Sequence, residues 1–112
     1  MDCLFCKIIA QEIEAKRLFE TEKVLVIPDL YPQAPTHCLL LPKKHIATID
    51  DATVEDKILL GEMILTAQKI AKDNALDEGY RLVFNVNSGG GQCIYHIHLH
   101  LLGGRQMQWP PG

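Results

Sequence analysis

The chain has 112 residues, of which 47% are hydrophobic and 22% are charged. This length and composition predict one globular domain over residues 1–112, with a C-terminal tail at residues 103–112. A net charge of −3, with no long basic run, argues against binding a nucleic-acid polymer through its phosphates. No segment has the apolar length needed to span a membrane, and the N-terminus lacks the basic start and the cleavage site of a signal peptide.

The first half of the chain is predicted to contain a short helix and three strands. Apolar residues at helical spacing in CLFCKIIA (3–10) predict a brief N-terminal helix. The segments KRLFE (16–20) and VLVIPD (24–29) are typical of a pair of strands, and HCLLLP (37–42) is typical of a third. LYPQAPTH (30–37) carries two prolines, which predict a loop.

The second half is predicted to contain one long helix and two strands. Thr53 is a predicted N-cap, with Asp56 in the reciprocal position of a capping box. Apolar periodicity predicts that a helix with one buried face follows. The periodic residues form two sets: Val54, Ile58 and Leu65, and Leu60, Ile64, Ala67 and Ala71. YRLVFNVN (80–87) and IYHIHLHLL (94–102) alternate as strands do, and the short connections predict an α+β fold with an antiparallel sheet.

Three of the five histidines, His96, His98 and His100, alternate with apolar residues in the last predicted strand. Alternate side chains share one face at a rise of about 3.3 Å per residue, so the outer two lie roughly 13 Å apart. A zinc ion holds nitrogen ligands at about 2.0–2.1 Å, so a three-histidine metal centre from this strand alone is geometrically poor. The pattern favours His98 as a nucleophile toward phosphorus, with a helping imidazole on each side.

A run of three glycines, Gly89–Gly91, precedes the histidines. Without Cβ atoms, its backbone N–H groups can approach phosphate oxygens and form an anion nest. The side chains of Asn85, Gln92 and Cys93 are predicted to border the same place. The alternative interpretation is that the histidines face solvent on an edge strand and the glycines only form a turn.

The segment HIHLHLL (96–102) fits the signature H-φ-H-φ-H-φ-φ, where φ is apolar, of the histidine triad (HIT) nucleotide hydrolases and transferases. Segments 29–46 and 79–107 and the terminal WPPG (109–112) further resemble the Hint branch, the purine nucleoside phosphoramidases. The resemblance spans nearly the whole chain. It implies a HIT-like fold, in which a five-stranded antiparallel sheet carries one long and one short helix. It also implies a homodimer with one ten-stranded sheet.

The resemblance implies hydrolysis of the P–N bond in adenosine or guanosine 5′-phosphoramidates, with no cofactor required for catalysis. His98 matches the nucleophile that forms a nucleotidyl-histidine intermediate, while His37 and His100 match helpers that relay protons or bind phosphate. Cys93 stands where the Hint branch often has serine. The other nucleotide contacts that the resemblance implies are Asp29 with Leu30 at the ribose, Phe5, Ile8 and Ile13 at the base, Asn85, Gly91, Gln92 and Cys93 at the phosphate, and Trp109 reaching the partner subunit's site.

Cys3 and Cys6 form a C-x-x-C pair, a spacing that suits zinc when two more ligands lie nearby. Without an export signal, cysteines are expected to be thiols or metal ligands in the cytoplasm rather than disulfides. Some bacterial HIT proteins bind zinc through such a pair and two histidines, which implies His45 and His96 here. A closed four-ligand site of this kind would be structural. The alternative is a pair of small cysteines on a short helix, with His45 at the surface.

The residues leave three other functions open. One is another HIT chemistry, such as hydrolysis of dinucleoside polyphosphates or removal of AMP from an adenylated molecule. Another is a nucleotide-binding regulatory module whose partner contacts matter more than turnover. The third is a zinc enzyme that uses the histidine strand, which a chelator would inactivate. Neither the leaving amine nor the choice between adenine and guanine follows from the sequence.

Overall fold

A five-stranded antiparallel sheet forms the centre of the structure, a computed structural model that describes residues 2–112. The strand order is β1-β2-β3-β5-β4, and the predicted α+β fold with an antiparallel sheet is confirmed. Two α-helices pack on the sheet, and within residues 2–112 neither is long and apolar enough to cross a membrane. The elements are α1 (Leu4–Ile9), β1 (Phe19–Glu20), β2 (Val24–Pro28), β3 (Thr36–Pro42), α2 (Lys57–Asp73), β4 (Tyr80–Phe84) and β5 (Leu99–Gly103).

Both faces of the central strands are buried, because a helix covers each one. In β2, Val24 and Val26 pack in the core under α2, while Leu25 and Ile27 pack on the opposite face with α1. Helix α1 has only six residues, a length of about 9 Å, so it cannot cover the whole of its face. The uncovered part of that face, beside β3 and β5, is where the cavity described below lies.

The capping box at the start of the long helix is confirmed, but the predicted buried face is only partly right. A 3-10 turn, Val54–Asp56, leads into α2, and the side chains of Thr53 and Asp56 each accept a backbone N–H of the other end of the turn. Ala67 and Ala71 are buried as expected. Apolar side chains continue around the helix, however, so periodicity alone misassigned several of them. Those left exposed are Val54, Ile58, Ile64 and Leu65.

The last two strands are shorter than predicted, which changes the setting of the histidines. Strand β5 begins at Leu99 rather than at residue 94, so His96 and His98 lie just before it. The register pairs Leu40 with Leu99, which places Pro42 opposite the segment before β5. Proline has no N–H for a sheet ladder, and the Pro42 carbonyl accepts a hydrogen bond from the His96 side chain instead. Strand β4 likewise ends at Phe84, before the asparagines.

Candidate active site

A cavity of about 710 Å³ lies between α1 and the sheet, within the size range of small-molecule sites. Its wall is mostly apolar; Asp29, Asn85, His98 and His100 form what we call its polar end, and Glu14 and Lys16 also line it. Ile27 and Leu39 complete the apolar wall and were not predicted, although alternation in β2 and β3 places them on the α1 face. The predicted site residues that line it are Phe5, Ile8, Ile13, Asp29, Leu30, Asn85, Gly91, Cys93, His98 and His100.

His98 is held in a defined tautomer by the main chain. Its Nδ1 lies 2.8 Å from the carbonyl oxygen of His96, and only a protonated nitrogen can donate to a carbonyl. The hydrogen therefore sits on Nδ1, and in the form of the ring with a single hydrogen Nε2 keeps its lone pair. His98 lines the cavity, and its ring centroid lies 5.1 Å from that of His100. The geometry suits nucleophilic attack by Nε2.

The hydrogen bonds of His37 fix the tautomer of His100 as well. The backbone N–H of Gln33 donates to His37 Nδ1 at 3.0 Å, so the hydrogen of the neutral His37 ring is on Nε2. His37 Nε2 lies 3.0 Å from His100 Nδ1 and donates to it. His100 therefore carries its hydrogen on Nε2, a buried atom without a partner among residues 2–112. A buried N–H donor on the wall of a cavity is suited to a ligand oxygen.

Both rings are kept neutral by their surroundings. Burial is the main cause that lowers the pKa of His100 to about 4, and the nearby His98 and His37 lower it further. Burial also lowers the pKa of His37, against the opposing effect of the Asp29 carboxylate. Neutral imidazoles at these two positions are what the relay of hydrogen bonds requires.

The unfolding free energy is expected to fall as the pH drops from 6.5 toward 4. In that window the unfolded state, with histidine near its ordinary pKa, binds a proton that folded His100 does not bind. Stability therefore rises with pH, by at most about 1.4 kcal/mol per pH unit for one proton. We expect the unfolding free energy, measured by urea unfolding at several pH values, to depend less steeply on pH in His100→Asn than in wild type. An equal dependence on pH in the two proteins would contradict the lowered pKa of His100.

Asp29 also lines the cavity and lies in the turn that follows β2. Its Oδ1 accepts the backbone N–H of Tyr31 at 2.8 Å, and its Oδ2 lies 3.4 Å from His37 Nε2. The carboxylate is thus fixed in direction by its own turn. Leu30, beside it, is 84% exposed and forms part of the cavity's lip.

The Gln92 side chain and the N–H groups of Gly90 and Gly91, which were predicted to contact a phosphate, are bonded to other groups of the chain. The Gln92 side chain is buried and bonded on both ends: Nε2 donates to the carbonyls of Ala47 and Ile94, and Oε1 accepts from Asn87 N. The N–H groups of Gly90 and Gly91 donate to carbonyls within their own turn. The predicted anion nest is therefore wrong for these N–H groups, because a 3-10 turn uses them.

His96 does not flank His98 in the cavity, which corrects the expectation from strand alternation. Its fully buried ring turns away to a Cys/His cluster formed by Cys3, Cys6, His45 and His96, whose ligand atoms all lie within 4.8 Å of one another. The Nδ1 atom of His96 lies 3.3 Å from Cys3 Sγ, 3.6 Å from Cys6 Sγ and 3.1 Å from His45 Nδ1. Cys6 Sγ lies 3.3 Å from His45 Nδ1.

The Cys/His cluster fits a tetrahedral metal ion. Zinc bonds of about 2.0–2.3 Å set four ligand atoms roughly 3.3–3.8 Å apart, close to the separations in the cluster. His96 Nε2 donates to the Pro42 carbonyl at 2.7 Å, which leaves Nδ1 unprotonated and turned toward the thiols. Such an outer hydrogen bond is typical of metal-binding histidines. The donor set of two sulfurs and two imidazoles is one that zinc uses in structural sites.

Trp109 lies away from the cavity of its own chain. Its side chain is 84% exposed, and the tail that carries it is held where Arg81 donates to the carbonyl of Gln108 at 2.7 Å. The predicted contact of Trp109 with a partner subunit therefore stays a prediction.

Comparisons with known proteins agree with this geometry. The family model described as "Scavenger mRNA decapping enzyme C-term binding" matches residues 2–109. A HIT-like protein of Synechococcus elongatus is 49% identical over 99% of this chain and 97% of its own length. A HIT family hydrolase from Legionella pneumophila superposes with a TM-score of 0.97 at 60% identity, over 99% of this chain and 100% of that one. A histidine triad nucleotide-binding protein from Candida albicans superposes at 0.82 with 31% identity, over 97% and 83%. The chain, with its HIT fold, belongs to the histidine triad family.

Proposed function

We propose that this chain is a nucleotide hydrolase that cleaves the P–N bond of purine nucleoside 5′-phosphoramidates through His98. One observation carries the proposal: the Nδ1–H of His98 is bound to the His96 carbonyl, so Nε2 is available to attack, beside a His100 N–H that has no partner among residues 2–112. A hydrolase and a nucleotide-binding protein among the similar structures support the same class of ligand.

The cavity has two ends that match the parts of a nucleotide. Phe5, Ile8 and Ile13 provide an apolar end for the base, and Asp29 can accept hydrogen bonds from ribose hydroxyls. The phosphate then falls at the histidine end, where the His100 N–H can donate to one of its oxygens. This orientation brings the phosphorus to the nucleophilic nitrogen.

The reaction proceeds in two displacements at phosphorus. Nε2 of His98 attacks, a new N–P bond forms, and the P–N bond to the amine breaks as the departing nitrogen takes up a proton from the solvent, which the attacking water returns in the second step. Water then attacks the nucleotidyl-histidine, which releases the nucleoside monophosphate and restores the neutral ring. The His96 carbonyl stabilises the positive charge that the ring carries in the intermediate.

The substrate class is tested by product analysis on two matched substrates. Adenosine 5′-phosphoramidate and diadenosine tetraphosphate are incubated separately with the protein, and nucleotide products are separated by chromatography. We expect rapid release of AMP from the phosphoramidate and at least tenfold slower cleavage of the tetraphosphate. Preference for the tetraphosphate would assign the other HIT chemistry. Binding of AMP without cleavage of either substrate would favour a regulatory module.

The Cys93→Ser variant is expected to turn over phosphoramidates at least as fast as wild type. Cys93 is an exposed thiol on the cavity wall, and its Sγ lies 3.6 Å from the Gly91 carbonyl, a long contact. A hydroxyl is a stronger hydrogen-bond donor than a thiol and can better assist the phosphate or the leaving amine. Steady-state rates with a poor leaving amine measure the effect. A large loss of turnover would contradict the expectation.

Three further assignments complete the proposal. The Cys/His cluster holds a structural zinc ion, because its four donors leave no position for water. Two copies pair along β4, which lies at an edge of the sheet. The protein acts in the cytoplasm, where its cysteines stay reduced. Sedimentation of the purified chain tests the dimer.

A further inference from the structure

Phe5 lies between the Cys/His cluster and the nucleophile. It sits in α1 between the two cysteines of the cluster, and its side chain is only 2% exposed. Its ring meets His98 at a centroid distance of 5.1 Å and His96 at 5.9 Å, with interplanar angles of 70° and 89°. Edge-to-face contacts of this kind are directional, so the position of Phe5 limits how the His98 ring can tilt.

A second connection runs through the main chain of His96. The ring of this residue belongs to the Cys/His cluster, and its carbonyl accepts the Nδ1–H of His98 at 2.8 Å. Any change in the cluster that rotates His96 therefore moves the acceptor that sets the tautomer of His98. Both contacts of the His98 ring therefore depend on the Cys/His cluster. Phe5 lies between Cys3 and Cys6 in the sequence, and His96 is itself a member of the cluster.

We infer that the Cys/His cluster, when it holds its metal, positions the nucleophile, and that Phe5 is a positioning residue for His98 more than a wall for the base. This inference rests on the proposed function. A metal ion held by Cys3, Cys6, His45 and His96 would tie the start of α1 to the two histidines. With those bonds in place, Phe5 and the His96 carbonyl are both fixed against the His98 ring. Without them, the ring can tilt, and its tautomer is no longer set.

The kinetic test compares Phe5→Leu with Ile13→Ala, a matched truncation in the apolar end of the cavity. For Phe5→Leu we expect kcat to fall by about 10- to 100-fold with KM changed less than threefold, since small errors in the reacting geometry have effects of this size. For Ile13→Ala we expect KM to rise, because Ile13 lines the part of the cavity where the base is proposed to bind. A rise in KM without loss of kcat in Phe5→Leu would overturn the inference.

A second readout needs no substrate and so does not depend on the proposed reaction. Nitrogen-15 NMR of labelled histidines reports the ring tautomer of His98 in the full chain. We expect a single Nδ1–H form in metal-loaded wild type and a mixture of both forms in metal-loaded Phe5→Leu and in chelated wild type. A single unchanged form in Phe5→Leu would overturn the inference, even if chelated protein unfolds. Metal content measured on the same samples confirms that the variant keeps its cluster.

Discussion

The His98→Ala variant is expected to lose hydrolysis of adenosine 5′-phosphoramidate by about 10⁴-fold or more, as variants that lose a nucleophile do. Alanine has no nitrogen to form the covalent intermediate, and the two neighbouring histidines of the triad are not placed to replace it. His100 has its lone pair engaged by His37, and His96 is buried in the Cys/His cluster. AMP should still bind with similar affinity, because the apolar end and Asp29 are untouched. Initial rates and calorimetric binding, both with excess chelator, measure the two effects.

A matched control for this experiment is Tyr95→Ala. Tyr95 lies in the same segment before β5, is 46% exposed and does not line the cavity, so wild-type turnover is expected. Turnover by His98→Ala above one hundredth of the wild-type rate would contradict the role of His98 as the nucleophile. Loss of activity in wild type on addition of chelator alone, with the fold intact by circular dichroism, would instead indicate a catalytic metal.

Loss of the cluster ligands is expected to have the largest effect on stability. Protein purified without chelator under reducing conditions should contain one zinc ion per chain, and Cys3→Ser should contain almost none. A metal that binds only the folded chain stabilises it by about 4 kcal/mol when its free concentration is a thousand times Kd. The start of α1 and the fully buried His96 would both lose their anchor, and a loss of this size in a chain of 112 residues should lower the thermal midpoint by roughly 15 °C. Elemental analysis and thermal unfolding measure the two quantities.

Cys93→Ser serves as the control for this comparison, since Cys93 is exposed and belongs to the cavity rather than to the cluster. It should keep both the zinc content and the midpoint of wild type. A zinc content near zero in fresh, reduced wild-type protein would rule out the metal site. Equal midpoints in Cys3→Ser and wild type would show that the metal contributes nothing to folding.

The alternation of histidines with apolar residues predicted which way the site histidines face, but not where the strand that carries them begins. The sequence predicts correctly that His98 and His100 face one side of the sheet, since Leu99 and Leu101 pack in the core on the other. It does not predict that the strand starts only at Leu99. That boundary depends on Pro42, which lies far away in the chain and meets this segment only in the folded sheet.

The protonation pattern could not be predicted from residue types. The tautomer of His100 follows from a backbone N–H at Gln33, and the tautomer of His98 from a backbone carbonyl. Main-chain groups leave no mark in a sequence pattern. Gln92 is a similar case, because a polar residue beside a glycine run gives no sign that its amide is buried against three backbone groups. Long-range contacts decide these features, whereas alternation and capping are local.

The most direct test of the central claim is to trap the covalent intermediate. Wild-type protein is mixed with adenosine 5′-phosphoramidate, quenched within the first turnover and digested, and the peptides are analysed by mass spectrometry under conditions that preserve phosphoramidate bonds. The account predicts an adenylyl group attached to His98, and no such adduct in His98→Ala. Release of AMP in the first turnover with no adduct on any histidine would contradict it and would indicate direct attack by water.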